Sequence, residues 1–252
     1  MTPDDIPAEV FSGKPHKLTM GLRPLDMSTW LDPDPDDPQR VERRRLVEQH
    51  RDEVFGALPG SDDACSSVAV AVSRWVGVPL AGEDHPLLEA ALLVRDDLCV
   101  LARVQRQWTL VAGVVCFPSR WRLSDKLGRD VMTIHDPVPG YRSRLEAPTQ
   151  QAFAAIAGHA ARWRVNATLV DDPELFQPVA PEGRTHRPGP ASYLRVERQC
   201  LVPVGDLIVF SIRTSVRAVA ELSPVEAEAV LSAAHNTPDD LAAYRGWSPP
   251  DA

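Results

Sequence analysis

The fold is decided by two neighbouring runs, ASYLRVERQCLVPV at residues 191–204 and DLIVFSIRTSV at residues 206–216. Apolar and polar residues alternate along both runs, and Gly205 lies between them, a pattern typical of two antiparallel strands joined by a tight turn. Earlier in the chain, LCVLARVQ (98–105) and WTLVAGVVCF (108–117) repeat this pattern. The sequence therefore predicts two β-hairpins.

Predicted helices flank these strands. The clearest begins at Ser223-Pro224-Val225-Glu226, a capping box with proline at the first helical position. The others are a helix that starts at Pro38, one from Ser61 to about Trp75, a short one capped by Ser124, one from Thr149 to Trp163, and one that starts at Thr237. With a further strand at RVNATLV, we expect an α+β fold, an antiparallel sheet with flanking helices, in one domain over residues 37–252. Residues 1–36, rich in Pro and Asp, are expected to form an irregular arm packed on that domain.

Composition and charge exclude several functional classes. The 27 basic and 35 acidic residues give a net charge of −8, and no basic stripe follows the chain that would match a nucleic-acid backbone. The N-terminus lacks the basic and apolar segments of a secretory signal, and the longest apolar run is about half of a membrane span. We therefore expect a cytoplasmic protein that binds neither nucleic acid nor membrane.

The cysteines and the glycine motifs exclude further sites. Cys65, Cys99, Cys116 and Cys200 lie far apart and form no CxxC pair, so neither structural zinc nor a Cys-held iron–sulfur cluster is expected in this chain. The sequence contains no GxGxxG, GxxxxGK[ST] or GxSxG. Dinucleotide-binding, P-loop and hydrolase interpretations therefore have no support.

Two arginines interrupt apolar rows of the later hairpin. Because side chains alternate across a strand, Arg198 and Arg213 each share a face with apolar residues. A guanidinium in that position needs a carboxylate, a bound anion or a route to solvent, since an unpaired buried charge costs several kcal/mol. Two interpretations stay open: an anionic group held against the sheet, or ordinary pairing with acids such as Glu197 and Asp206.

One histidine has an unusual context. The seven histidines make no HxH or HExxH spacing, so a multi-histidine metal site is not indicated. His135 lies in TIHDPVPGYR, residues 133–142. We expect VMTIH to be extended and inward-facing, and the following DPVPG to fix the backbone behind it. A rigid imidazole of this kind suits an axial metal ligand; the alternative is an ordinary structural histidine.

Longer motifs extend over nearly the full chain. In order, they are GLRPLDMSTWL, ERRRLV, VFGALPGS, CFPSRWRLSDKLGRDVMTIHDPVPGY, VDDPELFQP, LRVERQ and FSIRT. Together they resemble the family of heme-dependent oxidative N-demethylase alpha subunits. The resemblance implies a PAS-like fold that carries a b-type heme (heme b). It also implies a reaction of O₂ with a secondary methylamine such as dimethylamine, which gives a primary amine and formaldehyde. Electrons would come from NADPH through a separate flavin and iron–sulfur reductase subunit.

The same resemblance assigns roles to individual residues. His135 becomes the proximal iron ligand, in keeping with neutral imidazole as a common heme ligand. Glu197 becomes the acid that holds an ammonium substrate and accepts its proton. Arg198 and Arg213 are expected to meet the heme propionates in bidentate fashion. The Tyr244 hydroxyl is expected to close the pocket; its alternative is a helix-end aromatic packed on the body.

One position departs from the family, and two alternatives to an enzyme stay open. Asn166-Ala167 stands where relatives have an Asn-Trp pair, so a large ring is missing there. The first alternative is a heme-binding PAS module that senses a gas or redox state without turnover. The second is a member without heme that is retained as a partner subunit. An oligomer is compatible with each of these interpretations.

Overall fold

The computed structural model describes residues 6–13, 18–179 and 185–248. Its strands are β1 (Arg23–Pro24), β2 (Phe55–Ala57), β3 (Asp97–Val104), β4 (Gln107–Val114), β5 (Arg162–Val170), β6 (Tyr193–Val204) and β7 (Leu207–Ala218). Within the described residues these seven strands form one antiparallel sheet in the order β1-β5-β6-β7-β3-β4-β2. A Pro- and Gly-rich loop predicted at residues 178–190 lies partly outside the described ranges.

Helices flank the sheet, so the predicted α+β class is confirmed. They are α1 (Pro38–Gln49), α2 (Arg51–Val54), α3 (Asp62–Val76), α4 (Pro86–Ala91), α5 (Leu123–Lys126), α6 (Val131–His135), α7 (Tyr141–Ala157), α8 (Pro224–His235) and α9 (Asp239–Tyr244). The capping box predicted at Ser223 and Glu226 begins α8. Among the helices in the described part of the chain, none is long and apolar enough to cross a membrane.

Both predicted hairpins are present. β3 pairs with β4, and the two turn residues between them, Gln105 and Arg106, have φ values of 48° and 70°. β6 pairs with β7 along their full length without a register shift, and Gly205 in their turn has a φ of 56°. Positive φ at a two-residue turn matches the right-handed twist of the flanking strands. The unbroken register then fixes which side chains share a face of the sheet.

One side of the sheet, which we call the arm face, packs against the N-terminal half of the chain. Its buried side chains are Leu98, Val100, Ala112, Val114, Cys200, Val202 and Val209, and they form one core with α1, α3 and α4. Trp30 and Leu31 belong to this core, and the Trp30 indole N–H donates to the Ser211 hydroxyl at 3.2 Å. The segment before α1 is thus anchored on this face, while a division of the chain at residue 36 stays a prediction.

The other side of the sheet, which we call the α7 face, packs against the helices of the middle of the chain. Its buried apolar side chains are Cys99, Leu101, Leu201 and Ile208, which contact Leu123 of α5, Val131 of α6, and Phe153 and Ile156 of α7. By strand alternation, Arg164, Asn166, Glu197 and Gln199 of β5 and β6 lie on the same face. Polar side chains on this face therefore lie beside an apolar cluster.

Three local predictions are wrong. The short helix expected to be capped by Ser124 is α5, but its N-cap is Arg122 and Ser124 lies inside the helix. VMTIH was expected to be extended, but it forms α6, because the Asp130 carboxylate caps it by accepting the N–H groups of Met132 (2.9 Å) and Thr133 (3.1 Å). The helix expected from Thr149 to Trp163 instead runs over α7, eight residues earlier at its start. It ends at Ala157, and Trp163 already belongs to β5.

Candidate functional site

His135 is the last residue of α6, and its own helix fixes its ring. The ring Nδ1 lies 2.7 Å from the Val131 carbonyl oxygen. Since a carbonyl only accepts hydrogen bonds, Nδ1 carries the proton and donates it. The Nε2 lone pair is then free to bind a metal, and the hydrogen bond at the other nitrogen orients the ring as in many protein metal sites.

The surroundings of His135 keep the imidazole neutral. Burial lowers its pKa to about 4, against the opposing effect of the hydrogen bond to Val131, and the positive charges of Lys126 and Arg164 lower it further. The ring also stacks on Tyr141, with 4.5 Å between centroids and 12° between planes. At neutral pH the side chain is therefore an uncharged, oriented nitrogen donor, the form in which histidine binds heme iron.

Glu197 lies on the α7 face of β6 and is almost completely buried. Its Oε2 accepts hydrogen bonds from the side-chain amides of Gln199 at 2.9 Å and Asn166 at 3.4 Å. Its Oε1 lies 3.6 Å from Nε of Arg195, which is itself buried and donates to the Phe117 carbonyl at 2.6 Å. Two neutral amides and one shared guanidinium hold this carboxylate in place, and they leave its charge only partly compensated.

Two cations near His135 lack a carboxylate partner. Within the described residues, the side chain of Arg164 makes no hydrogen bond or ion pair, and its Nε is buried. Lys126 makes neither among the same residues; its Nζ lies 4.2 Å from the centre of the Trp121 ring. Burial lowers the pKa of both groups, and the negative charge of Glu197 opposes that effect in each.

Sequence reasoning missed both cations, although one left a signal. Along RWRVNATLV the residues Arg162, Arg164, Asn166 and Thr168 alternate with less polar ones, which gives the strand a polar face. A strand that packs against helices has reason to bury such a face only where polar groups have partners or a ligand. Lys126 lies in a four-residue helix and carries no comparable pattern.

Arg198 and Arg213 lie on the arm face, opposite His135. Arg198 donates to the Trp30 carbonyl and to the Thr29 hydroxyl, both at 3.0 Å. Arg213 donates to the Asp96 carboxylate at 3.3 Å. Arg213 thus pairs with an acid, although with Asp96 and not with Glu197 or Asp206, while oxygens of the segment before α1 hold Arg198. The structure does not bring the two arginines to His135, so their expected contact with heme propionates gains no support from the geometry.

Tyr244 and Ala167 complete the residues selected from the sequence. Tyr244 ends α9 with half of its surface exposed, and burial raises the pKa of its hydroxyl against the opposing effect of Arg245. Ala167 points away from Asn166 and packs with Val230 and Trp247. A large ring at position 167 would therefore not lie beside Glu197.

These residues fit a heme better than a metal held by side chains alone. No group of three His, Cys, Asp or Glu in the described part of the chain is placed to hold an ion, so an iron here would need most of its ligands from a porphyrin. His135 offers the axial nitrogen, and two unpartnered cations suit an anionic cofactor. Trp108, Ile134 and Phe210, partly buried against the cluster of the α7 face, offer apolar contact.

Comparison with known proteins agrees with this chemistry. A family model described as "Haem-dependent oxidative N-demethylase, alpha subunit-like" matches residues 73–250, well over half of the chain. The chain belongs to this family. The match includes α6, β5, β6 and α9, and with them every residue of the candidate site. No curated protein matches the chain. The description of the family refers to heme-dependent oxidative N-demethylation and to an alpha subunit, which suggests a multi-subunit assembly.

Proposed function

We propose that the protein is a heme-dependent monooxygenase that removes a methyl group from small secondary alkylamines such as dimethylamine. The observation that carries this proposal is the neutral, oriented His135 on the same face of the sheet as the buried carboxylate of Glu197. One residue offers a ligand for heme iron, and the other offers a site for a cationic amine. The same proposal includes a PAS-like fold, a cytoplasmic location and an N-terminal arm that ends near residue 36.

Each residue has a distinct task. A heme b bound to Nε2 of His135 would supply the centre at which O₂ is activated. Glu197 binds the protonated amine by charge, holds its proton at a carboxylate oxygen, and is oriented by Gln199 and Asn166. Tyr244 covers the Glu197 side of the pocket with its hydroxyl, where it limits the entry of water.

The overall reaction requires a reductant. Dimethylamine, O₂, two electrons and two protons give methylamine, formaldehyde and water; one oxygen atom enters formaldehyde and the other enters water. NADPH supplies the electrons through a separate flavin and iron–sulfur subunit in this proposal. The alpha-subunit character of the family supports a partner of this kind.

An absorption spectrum of the protein purified with heme available tests the proposal. We expect a Soret band that shifts when dimethylamine is added, and formaldehyde release when a chemical reductant and O₂ are supplied. His135→Ala should change the heme spectrum, while Glu197→Gln should keep the band and lose the amine-induced shift. A colourless wild-type protein refutes the heme assignment. Heme and gas binding without formaldehyde would point instead to a sensor without turnover.

A further inference from the structure

Arg164 differs from the buried and partly buried arginines that have partners in the chain. Arg43 donates to Asp97 at 2.8 Å, Arg213 to Asp96 at 3.3 Å, and Arg195 to the Phe117 carbonyl at 2.6 Å. The partly buried side chain of Arg164 donates to nothing within residues 6–13, 18–179 and 185–248, and its Nε, as in those three arginines, is inaccessible to solvent. A guanidinium that is partly removed from water and has no protein acceptor suits an anionic ligand, so we expect an acceptor outside the polypeptide at this position.

The position of Arg164 indicates where that acceptor lies. In the sheet Arg164 pairs with Gln199, whose amide binds Glu197, and it shares the α7 face, against which α6, the helix of His135, packs. Among the described residues, strand pairing covers the outer edge of β5 only at Arg162 and Trp163. A cleft of about 340 Å³ runs along β5, and Arg164 lines it. The guanidinium thus lies on the same face as Glu197 and at the wall of this cleft.

We propose that Arg164 binds a carboxylate of the heme whose iron is held by His135. The inference rests on the proposed function, because it takes a heme at His135 as given. Heme b carries two carboxylates on one edge of an otherwise apolar ring, and a guanidinium matches a carboxylate with two parallel hydrogen bonds. Glu197 does not serve as this partner, since the structure places neither of its oxygens within ion-pair distance of the Arg164 guanidinium; its Oε2 accepts from the two amides and its Oε1 faces Arg195. The cleft that Arg164 lines gives the carboxylate edge of the ring access to water.

Replacing the heme carboxylates by esters separates this contact from all others. Wild type and Arg164→Gln are loaded with ferric heme or with heme dimethyl ester, and transfer to excess apomyoglobin is followed by absorbance. Loss of a charge-assisted hydrogen bond should speed heme release by about tenfold to a hundredfold in the variant. Release of the diester, which has no carboxylate to lose, should be equal in both proteins. Arg164→Lys keeps the charge and loses the bidentate geometry, so its rate of heme release should be intermediate between those of wild type and Arg164→Gln.

Arg198→Gln is the matched control. Arg198 lies on the neighbouring strand, one register position away and on the opposite face, so its replacement should leave both release rates unchanged. The proposal is overturned if Arg164→Gln accelerates heme and diester equally, if it accelerates neither, or if Arg198→Gln gives the carboxylate-dependent effect instead. Where Arg164→Gln does not fold, as judged by circular dichroism, Arg164→Lys gives the same decision. Wild type without any Soret band refutes the proposed function itself and not this contact alone.

Discussion

Two groups of cations in this molecule have their charge balanced in opposite ways. Arg43 is paired with Asp97, Arg95 with Asp32, and Arg213 with Asp96, and these carboxylates are themselves buried; on the α7 face Arg195 lies 3.6 Å from Glu197. On the α7 face, the described residues offer Arg164 and Lys126 no carboxylate within ion-pair distance. Arg164 and Lys126 are partly buried, as Arg213 is, so the difference lies in whether the polypeptide supplies the counterion.

The presence or absence of a partner within the polypeptide distinguishes structural from functional cations better than their burial or residue type does. A buried ion pair that is complete within the chain holds segments together, and its partners explain it. A buried cation with no partner is tolerated where a ligand supplies the missing charge. Arg198 and Arg164 are the same residue type on adjacent strands, and only their surroundings distinguish an anchor of the N-terminal segment from a candidate ligand contact.

The largest effect is expected from breaking the most deeply buried pair. Arg43→Met leaves the Asp97 carboxylate with only the backbone N–H groups of Cys116 and Phe117, and should lower the free energy of unfolding by about 3–5 kcal/mol. Urea unfolding followed by circular dichroism measures it. Arg45→Met, which removes an exposed pair with Glu42, should cost at most about 0.5 kcal/mol. Equal effects for the two variants would contradict the structural role of the buried pair.

Stability of the heme-free protein should depend on pH through His135. Its pKa is about 4 in the folded protein and 6.5 in the unfolded chain, so between these values the unfolded state binds more protons. Stability should therefore fall as the pH drops from 6.5 to about 4, by roughly 3 kcal/mol from this residue alone. His135→Asn should remove that part of the decrease in urea unfolding. An unchanged pH profile in the variant would show that Lys126, Arg164 and burial do not depress this pKa.

An intermediate effect is expected for Arg213. Arg213→Gln weakens the compensation of the buried Asp96 carboxylate and should cost about 2 kcal/mol in urea unfolding. The heme spectrum and the rate of heme release should stay as in wild type, since the residue lies on the arm face. A changed Soret band would place the heme on that face and reverse the comparison.

The smallest effect, and one of opposite sign, is expected for Arg164 in the heme-free protein. Arg164→Met removes a desolvated charge that has no partner, so it should leave stability unchanged or raise it by up to about 1 kcal/mol. Thermal unfolding without heme measures this. A loss comparable with that of Arg213→Gln would mean that Arg164 already has a stabilising partner in the polypeptide.

The sequence predicted the sheet better than it predicted the helices of the site. The hairpins can be predicted because their signals, the alternation of apolar and polar residues and the glycine in the β6–β7 turn, are local features of the sequence. α6 was mistaken for a strand because VMTIH is short and rich in β-branched residues. One carboxylate, Asp130, outweighed that preference by binding two backbone N–H groups.

The same limit applies to the site residues. The alternation of side chains along the strands showed that Arg198 and Arg213 interrupt apolar rows. Their partners at Trp30 and Asp96 are more than a hundred residues away in sequence and cannot be deduced from spacing. The importance of His135 came from its motif and the family resemblance, and the structure adds the hydrogen bond that selects its tautomer. Arg164 and Lys126 required the structure, because what distinguishes them is the absence of a neighbour within the described residues.

The Val131 carbonyl and the Tyr141 ring give the His135 imidazole a rotamer that depends on no cofactor. A metal ligand fixed in advance loses little conformational entropy when the metal arrives, so more of the coordination energy remains as affinity. Heme uptake should then resemble entry into a preorganised slot, with α6 already folded before loading and still folded after the heme has left.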